Sequence, residues 1–352
     1  LIKDKDSSLK GDEAYTEYIL NIVADTTITP KTDVPSVEKK VKDTNDTTGD
    51  TTEWQDSADY DIGDVVPFQL TAKLPANVES YKSYYLKFDD TLSQGLDFNE
   101  GTVTVKLGNK DVTEFFKTNY DADNKKLTFT CDNILAKGFE AKNGDTIVVE
   151  YKATLNENAV IGSEGNPNKV KLEFSNNPNN AGEGDKGETP DDTVIVFTYK
   201  VDENNKALDG AEFTLYKKIK GAAEDKEIKA VISGDKNDVF TFSGLDDGDY
   251  VLKETKTPDS YNTAKDIAFT ITADHSIVSD APELKSLSGD KVTGNITLKA
   301  DKAEGSLSTP VQNFKGSVLP STGGAGRVAI YVIGAILVVG GGIVLVTKKR
   351  VK

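Results

Sequence analysis

The sequence is poor in the residues on which most site chemistry depends. Its 352 residues include no Met, one Cys (Cys131), one His (His275) and one Trp (Trp54). One Cys permits no disulfide within the chain. One His excludes a His-centred catalytic triad and a multi-His metal site, and neither metal nor cofactor is expected. A basic excess is also lacking. The 42 Lys+Arg face 58 Asp+Glu, a formal net charge of −16, which leaves nothing to neutralise the phosphates of a nucleic acid. The absence of Met predicts that sequence precedes Leu1, a removed signal peptide included. Hydrophobic residues make up 37%, a low share that suits β-rich domains with thin cores. Neither a phosphate loop nor a hydrolase triad is present.

What is there is mostly a period of two. Val66-Pro-Phe68-Gln-Leu70, Leu127-Thr-Phe129-Thr, Thr146-Ile-Val-Val-Glu150-Tyr and Val170-Lys-Leu172-Glu-Phe174 alternate apolar and polar side chains. Turn residues separate these runs, as in Leu107-Gly-Asn-Lys-Asp111 and Lys142-Asn-Gly-Asp145. The pattern predicts an all-β fold of sandwiches, with a short helix only near Asp111 to Thr118. A stretch rich in Asn, Gly, Pro, Asp and Glu reads as a linker at 179–193. The expected division is a remnant of an N-terminal domain with its linker at 1–33, a sandwich at 34–178, a second sandwich at 194–316 and a terminal segment at 317–352. Cys131 is expected to be a small buried side chain. His275 shows no evident partner in the sequence.

The terminal segment holds the clearest signal. Val328 to Val346 is an uncharged apolar run, about the ~20 residues that cross a bilayer as a helix. Lys348, Lys349, Arg350 and Lys352 follow it, which places the tail on the cytoplasmic side. Upstream stand Leu319, Pro320, Ser321, Thr322 and Gly323. Motif, apolar span and basic tail in this order resemble the LPxTG cell-wall sorting signal of Gram-positive surface proteins. The resemblance implies cleavage by a sortase between Thr322 and Gly323, through a thioester at the Thr322 carbonyl that an amine then resolves. It also implies a secreted protein covalently anchored to the cell wall, with the membrane as a partner only before sorting.

Residues 194 to 315 are similar to the Cna B-type domain of collagen adhesins and Gram-positive pilins. The residues that carry this are Lys200-Val201-Asp202, Leu208-Asp-Gly-Ala-Glu-Phe-Thr-Leu215, the run from Gly244 through Glu254 to Tyr261, and Val311-Gln-Asn313-Phe314. Ser260 stands where the family usually has Gly. The resemblance implies an isopeptide bond between Lys200 and Asn313, promoted by Glu254. Burial favours the neutral amine of Lys and the neutral acid of Glu. The amine attacks the Asn carbonyl, which the acid polarises, and ammonia leaves.

Residues 34 to 178 resemble the isopeptide-forming fimbrial domain found second in backbone pilins. The carrying segments are Pro35-Ser-Val-Glu-Lys39-Lys-Val41, Ala58 to Phe68, Phe88-Asp-Asp90-Thr-Leu-Ser-Gln-Gly95-Leu96 and Asn168 to Asn176. Strand parity turns Lys39, Asp90 and Asn168 inward. The expected bond joins Lys39 to an Asn, with Asp90 as the acid. Asn168 and Asn176 both qualify, and the register of parallel first and last strands favours Asn168.

Just before this domain stands Ile28-Thr-Pro30-Lys31-Thr-Asp-Val34. It resembles a pilin motif, with Thr29 and Thr32 departing from the usual Tyr and Asn. Lys31 is the lysine that would attack the sortase-bound threonine of the next subunit. A heterologous contact of this kind does not close and builds a filament. The reading is therefore a structural pilus subunit and not an enzyme, with a sortase, neighbouring pilin subunits and peptidoglycan as partners. The alternative is a monomeric wall-anchored adhesin that binds a host matrix protein or glycan.

Overall fold

The computed structural model describes residues 33–178, 185–203, 210–229, 231–233, 239–293, 296–311 and 313–315. Lys31, the Leu319 to Gly323 motif and the apolar run 328–346 lie outside the described residues. Among the described residues no helix is long and apolar enough to cross a membrane.

The period-two runs form strands and pack as two sandwiches. Strand Val65–Lys73 buries Val66, Phe68, Leu70 and Ala72. Strand Thr146–Leu155 buries Ile147, Val149, Tyr151, Ala153 and Leu155. Each of the fully buried Val, Leu, Ile and Phe side chains stabilises the fold by roughly 1.5–3 kcal/mol relative to exposure. In the first sandwich, one sheet orders its strands Ser36–Val41, Val65–Lys73, Thr146–Leu155, Thr104–Leu107 and Lys110–Asp111. The facing sheet orders Ser57–Asp59, Asp192–Phe197, Asn166–Ser175, Leu86–Leu92, Lys126–Cys131 and Lys117–Asp121. The expected short helix is a single 3₁₀ turn, Thr113–Phe115. Cys131 is buried on its strand.

The second sandwich faces two five-stranded sheets. In one, Tyr199–Glu203 runs parallel to Ser306–Thr309, with Lys200 opposite Ser306. The other contains Glu212–Lys217, Gly248–Lys256 and Ile267–His275.

The join between the sandwiches is tight. Strand Asp192–Phe197 pairs antiparallel with Asn166–Ser175 and parallel with Ser57–Asp59, inside the first sandwich. Val194 and Val196 lie in the first core, whereas Phe197 and Tyr199 lie in the second. Only Thr198 separates the two strands, and it is itself buried. The stretch read as a linker also carries a short strand, Lys186–Glu188, paired with Asn166–Ser175. On one side of the join, Gly162 and Gly305 touch back to back, both at positive φ (96° and 60°). A Cβ on either would strike the other's backbone, and only glycine takes that conformation freely.

Candidate functional site

Strand parity explains how three polar side chains come to lie in an apolar core. Lys39 alternates with Val37 and Val41, Asp90 with Phe88 and Leu92, and Asn168 with Val170. Lys39 comes from one sheet of the first sandwich, Asp90 and Asn168 from the other. The facing strands Asn166–Ser175 and Leu86–Leu92 pair with Val170 opposite Asp90 and Asn168 opposite Leu92. That register sets the acid and the amide close together on the inward face. All three side chains are fully buried. A bond from Lys39 to Asn168 would therefore span the core between sheets.

Tyr151 ties them together. Its hydroxyl donates to Asp90 Oδ2 and lies 3.2 Å from Lys39 Nζ. The Asn168 amide nitrogen donates to the same hydroxyl oxygen at 2.7 Å. Lys39 Nζ contacts Asp90 Oδ1 directly. The rings of Phe68 and Tyr151 flank the amine, with centroids 5.5 and 5.6 Å away. On the backbone, Lys39 N donates to Asp192 Oδ2 at 2.6 Å, which pins its strand across the sandwich. Asn176 is eight residues further on, roughly 27 Å along an extended chain at about 3.4 Å per residue.

The electrostatics follow from burial. Desolvation pulls the Lys39 amine down to about 8, against the opposing charge of Asp90. Desolvation also pushes the Asp90 carboxyl up, against its bonds to Lys39 and Tyr151. Both shifts move the pair toward a neutral amine beside a neutral acid. The Asn168 amide nitrogen, the Tyr151 hydroxyl and Asp90 form one continuous chain, donating in that order; its reversal would carry a proton from Asp90 to the nitrogen once that nitrogen becomes basic. No described residue donates to Asn168 Oδ1, so the polar groups present meet the amide at its nitrogen. Sequence reasoning missed Tyr151. Its only signal is parity, because it is inward on a strand that alternates Ile147, Val149, Tyr151 and Ala153.

In the second sandwich, Asn313 Nδ2 donates to Glu254 Oε1 at 2.5 Å, and Ala264 N holds Glu254 Oε2 at 2.6 Å. Glu254 is buried and Asn313 half-buried. Lys200 is half-buried, and its amine lies 3.6 Å from Asp202 Oδ2. The structure thus brings Glu254 and Asn313 together, with Lys200 turned toward Asp202. The acid again meets the amide at its nitrogen.

Three family models match separate parts of the chain. Residues 62–178 match the "Gram-positive pilin backbone subunit 2, Cna-B-like domain". Residues 195–282 match the SpaA prealbumin-like fold domain, and 312–352 the LPXTG cell wall anchor motif. These three parts are similar to the domains and anchor of Gram-positive pilins. It is 26% identical to the trypsin-resistant surface T6 protein of Streptococcus pyogenes serotype M6, over 91% of this chain and 70% of that protein. Its fold is that of the T6 backbone pilin of serotype M6 Streptococcus pyogenes, with a TM-score of 0.55 and 20% identity over 82% of this chain and 71% of that one. It is also similar to the group B streptococcus pilus 2b backbone protein, with a TM-score of 0.50 and 22% identity over 76% of this chain and 98% of that one. The chain is a structural subunit, not an enzyme, handled by a sortase and covalently attached to the wall of a Gram-positive cell.

Proposed function

We propose that this chain staples each sandwich with an isopeptide bond, Lys39–Asn168 in the first and Lys200–Asn313 in the second, and polymerises through Lys31. The buried meeting of Lys39, Asp90, Tyr151 and Asn168 supports the reading most directly. The Lys39 amine attacks the Asn168 side-chain carbonyl carbon. The C–N bond to the amide nitrogen breaks, that nitrogen takes the amine's proton by way of Asp90 and Tyr151, and ammonia departs. One amide has replaced another, so neither oxidant nor cofactor is required. Glu254 has the same role for Asn313 once the Lys200 amine leaves Asp202.

Such bonds restrict the unfolded chain as a disulfide does, an effect of about 2–4 kcal/mol in disulfide models. Tension along the pilus is then carried by covalent bonds and not by ladder hydrogen bonds. The relative from Streptococcus pyogenes is described as trypsin-resistant, the behaviour expected of a fold tied in this way. A sortase cleaving between Thr322 and Gly323 would pass Thr322 to Lys31 of the next subunit. The experiment is a wall extract from cells making Lys31→Ala. Loss of the high-mass ladder is expected. An unchanged ladder sinks the Lys31 assignment and favours a monomeric wall-linked adhesin.

A further inference from the structure

His275 is not the isolated side chain that the sequence suggests. Strand Ile267–His275 shifts register between Asp274 and His275, and such an irregularity re-aims a side chain. The imidazole turns into the junction between the sandwiches, where it is buried with Asp43 and Asp59. His275 Nδ1 lies 2.8 Å from Ser57 Oγ. The Ser57 hydroxyl donates to Ser276 O, so it must accept from Nδ1–H. Nδ1 is thus a donor, and Nε2 is the ring nitrogen left to face the two carboxylates.

Nε2 is 3.3 Å from Asp43 Oδ2 and 3.6 Å from Asp59 Oδ1. Charge-assisted N–H···O bonds close to about 2.7–2.9 Å, so these are long for an imidazolium gripped by two carboxylates. They match the edges of a tetrahedron of ligands about 2.0–2.2 Å from a central ion, which are ~3.3–3.6 Å. The three ligand atoms all lie within 4.8 Å of one another. Asp247 N donates to Asp59 Oδ2 at 3.0 Å and steadies that carboxylate from outside. A fourth oxygen is at hand. Tyr199 is fully buried, and its hydroxyl has no hydrogen-bond partner among the described residues. Burial, then the charges of Asp59, Asp43 and Asp247 and a contact with the Asp59 carboxylate, raise its pKa.

We propose that Asp43, Asp59 and His275, with the Tyr199 hydroxyl beside them, form a site for one divalent transition-metal ion of the zinc type. Burial pulls the His275 imidazole down, but its contacts with Asp43 and Asp59 more than offset this and raise it to about 10, so an incoming ion must displace the Nε2 proton; two carboxylates and the imidazole so freed match the charge and the donor preference of such an ion. Asp43 and Asp59 belong to the first sandwich, His275 and Tyr199 to the second. The ion would therefore fix one sandwich against the other. The acidic group Asp46, Asp61 and Asp64 differs, because Lys217 and Lys226 already lie among its oxygens.

The test uses the full chain, stripped with EDTA and then titrated with ZnCl₂ by calorimetry and with CoCl₂ by visible absorption. Expected are one Zn²⁺ per chain, the intense bands of tetrahedral Co²⁺, and a rise in melting temperature with Zn²⁺. His275→Gln should weaken Zn²⁺ binding by about 100-fold or more and remove the Co²⁺ bands. Asp59→Asn should do the same, and decides the matter if His275→Gln fails to fold by circular dichroism. No saturable binding would overturn the site and leave His275 as an imidazolium clamp. Binding that survives substitutions which fold normally would overturn it equally, since the ion would then sit elsewhere.

Discussion

The side-chain amide of Asn168 donates to the hydroxyl oxygen of Tyr151 at 2.7 Å, and that hydroxyl donates in turn to Asp90. This chain of bonds sets the amide nitrogen, the leaving group of the proposed reaction, in line with the acid. It gives Tyr151 a positioning and proton-passing role. Tyr151→Phe should keep the ring contacts with Phe68 and Phe129 and remove the chain. Isopeptide formation at Lys39, followed by intact mass after cell-free synthesis, should slow by about 10²-fold or more, in the range for a lost general-acid path. An unchanged rate would remove Tyr151 from the reaction.

Mass also separates the two asparagines. The full chain should weigh two ammonias less than its sequence requires. Asn168→Ala, Asp90→Ala and Glu254→Ala should each restore one of them, measured against the variant's own sequence mass, and lower the melting temperature. Asn176→Ala should restore none. A wild-type mass equal to the sequence mass would end the crosslink claim, and a restored ammonia in Asn176→Ala would reassign the bond.

The pH dependence of bond formation follows from proton counting. One proton shared between Lys39 and Asp90 gives either an ion pair or the reactive neutral amine and neutral acid. Loss of that last proton, centred near the Lys39 value of about 8, leaves no acid to supply the departing nitrogen. Gain of a second proton in acid leaves no nucleophile. The rate should therefore be bell-shaped, falling as pH rises through about 8 and falling again in acid. A rate that climbs steadily from pH 7 to 10 would show that amine deprotonation alone matters.

In the Asn168→Ala variant the same groups should mark stability. The folded Lys39 value lies below its ordinary 10.5, so the folded state binds fewer protons than the unfolded chain between the two values. Stability should rise with pH from about 8 to about 10.5. Denaturant midpoints at pH 8 and 10 read this directly, and a fall over that window would contradict the assignment.

The junction has its own weak point in Lys217. Its amine is fully buried, lies 3.0 Å from Asp46 and 3.1 Å from Asp61, and contacts Asp246. Burial pulls the amine down, but Asp246 and Asp61 more than offset this and hold it charged. Lys217→Ala leaves three carboxylates without their shared cation, two of them buried, and should cost about 3–5 kcal/mol. Small-angle scattering should also show a broader range of angles between the sandwiches. An unchanged midpoint and profile would mean that Thr198, Gly162 and Gly305 hold the join alone.

Much of this was legible from period and parity. Alternation in Val65–Lys73 and Asn166–Ser175 is a local property of the chain, and it is enough to turn Lys39, Asp90 and Asn168 toward a core. The terminal motif, apolar run and basic tail are likewise a linear signal, read in order by a sortase. Tyr151 was not legible, because an inward Tyr in a strand looks like any other core aromatic until the facing sheet brings Asp90 to its hydroxyl. The orientation of Lys200 toward Asp202 was equally hidden, since side-chain rotamers answer to neighbours and not to spacing.

The sequence by itself determined a β-rich, wall-directed chain without disulfides, whose few buried polar residues fall on inward positions of strands. Only the tertiary structure decided how the sandwiches meet. Asp43 and His275 are separated by more than two hundred positions, and Lys217 and Asp61 by more than one hundred and fifty. No local periodicity links such residues. Their contact exists because Thr198 alone divides the two cores, and burying the facing loops forces each charge there to find a partner of opposite sign.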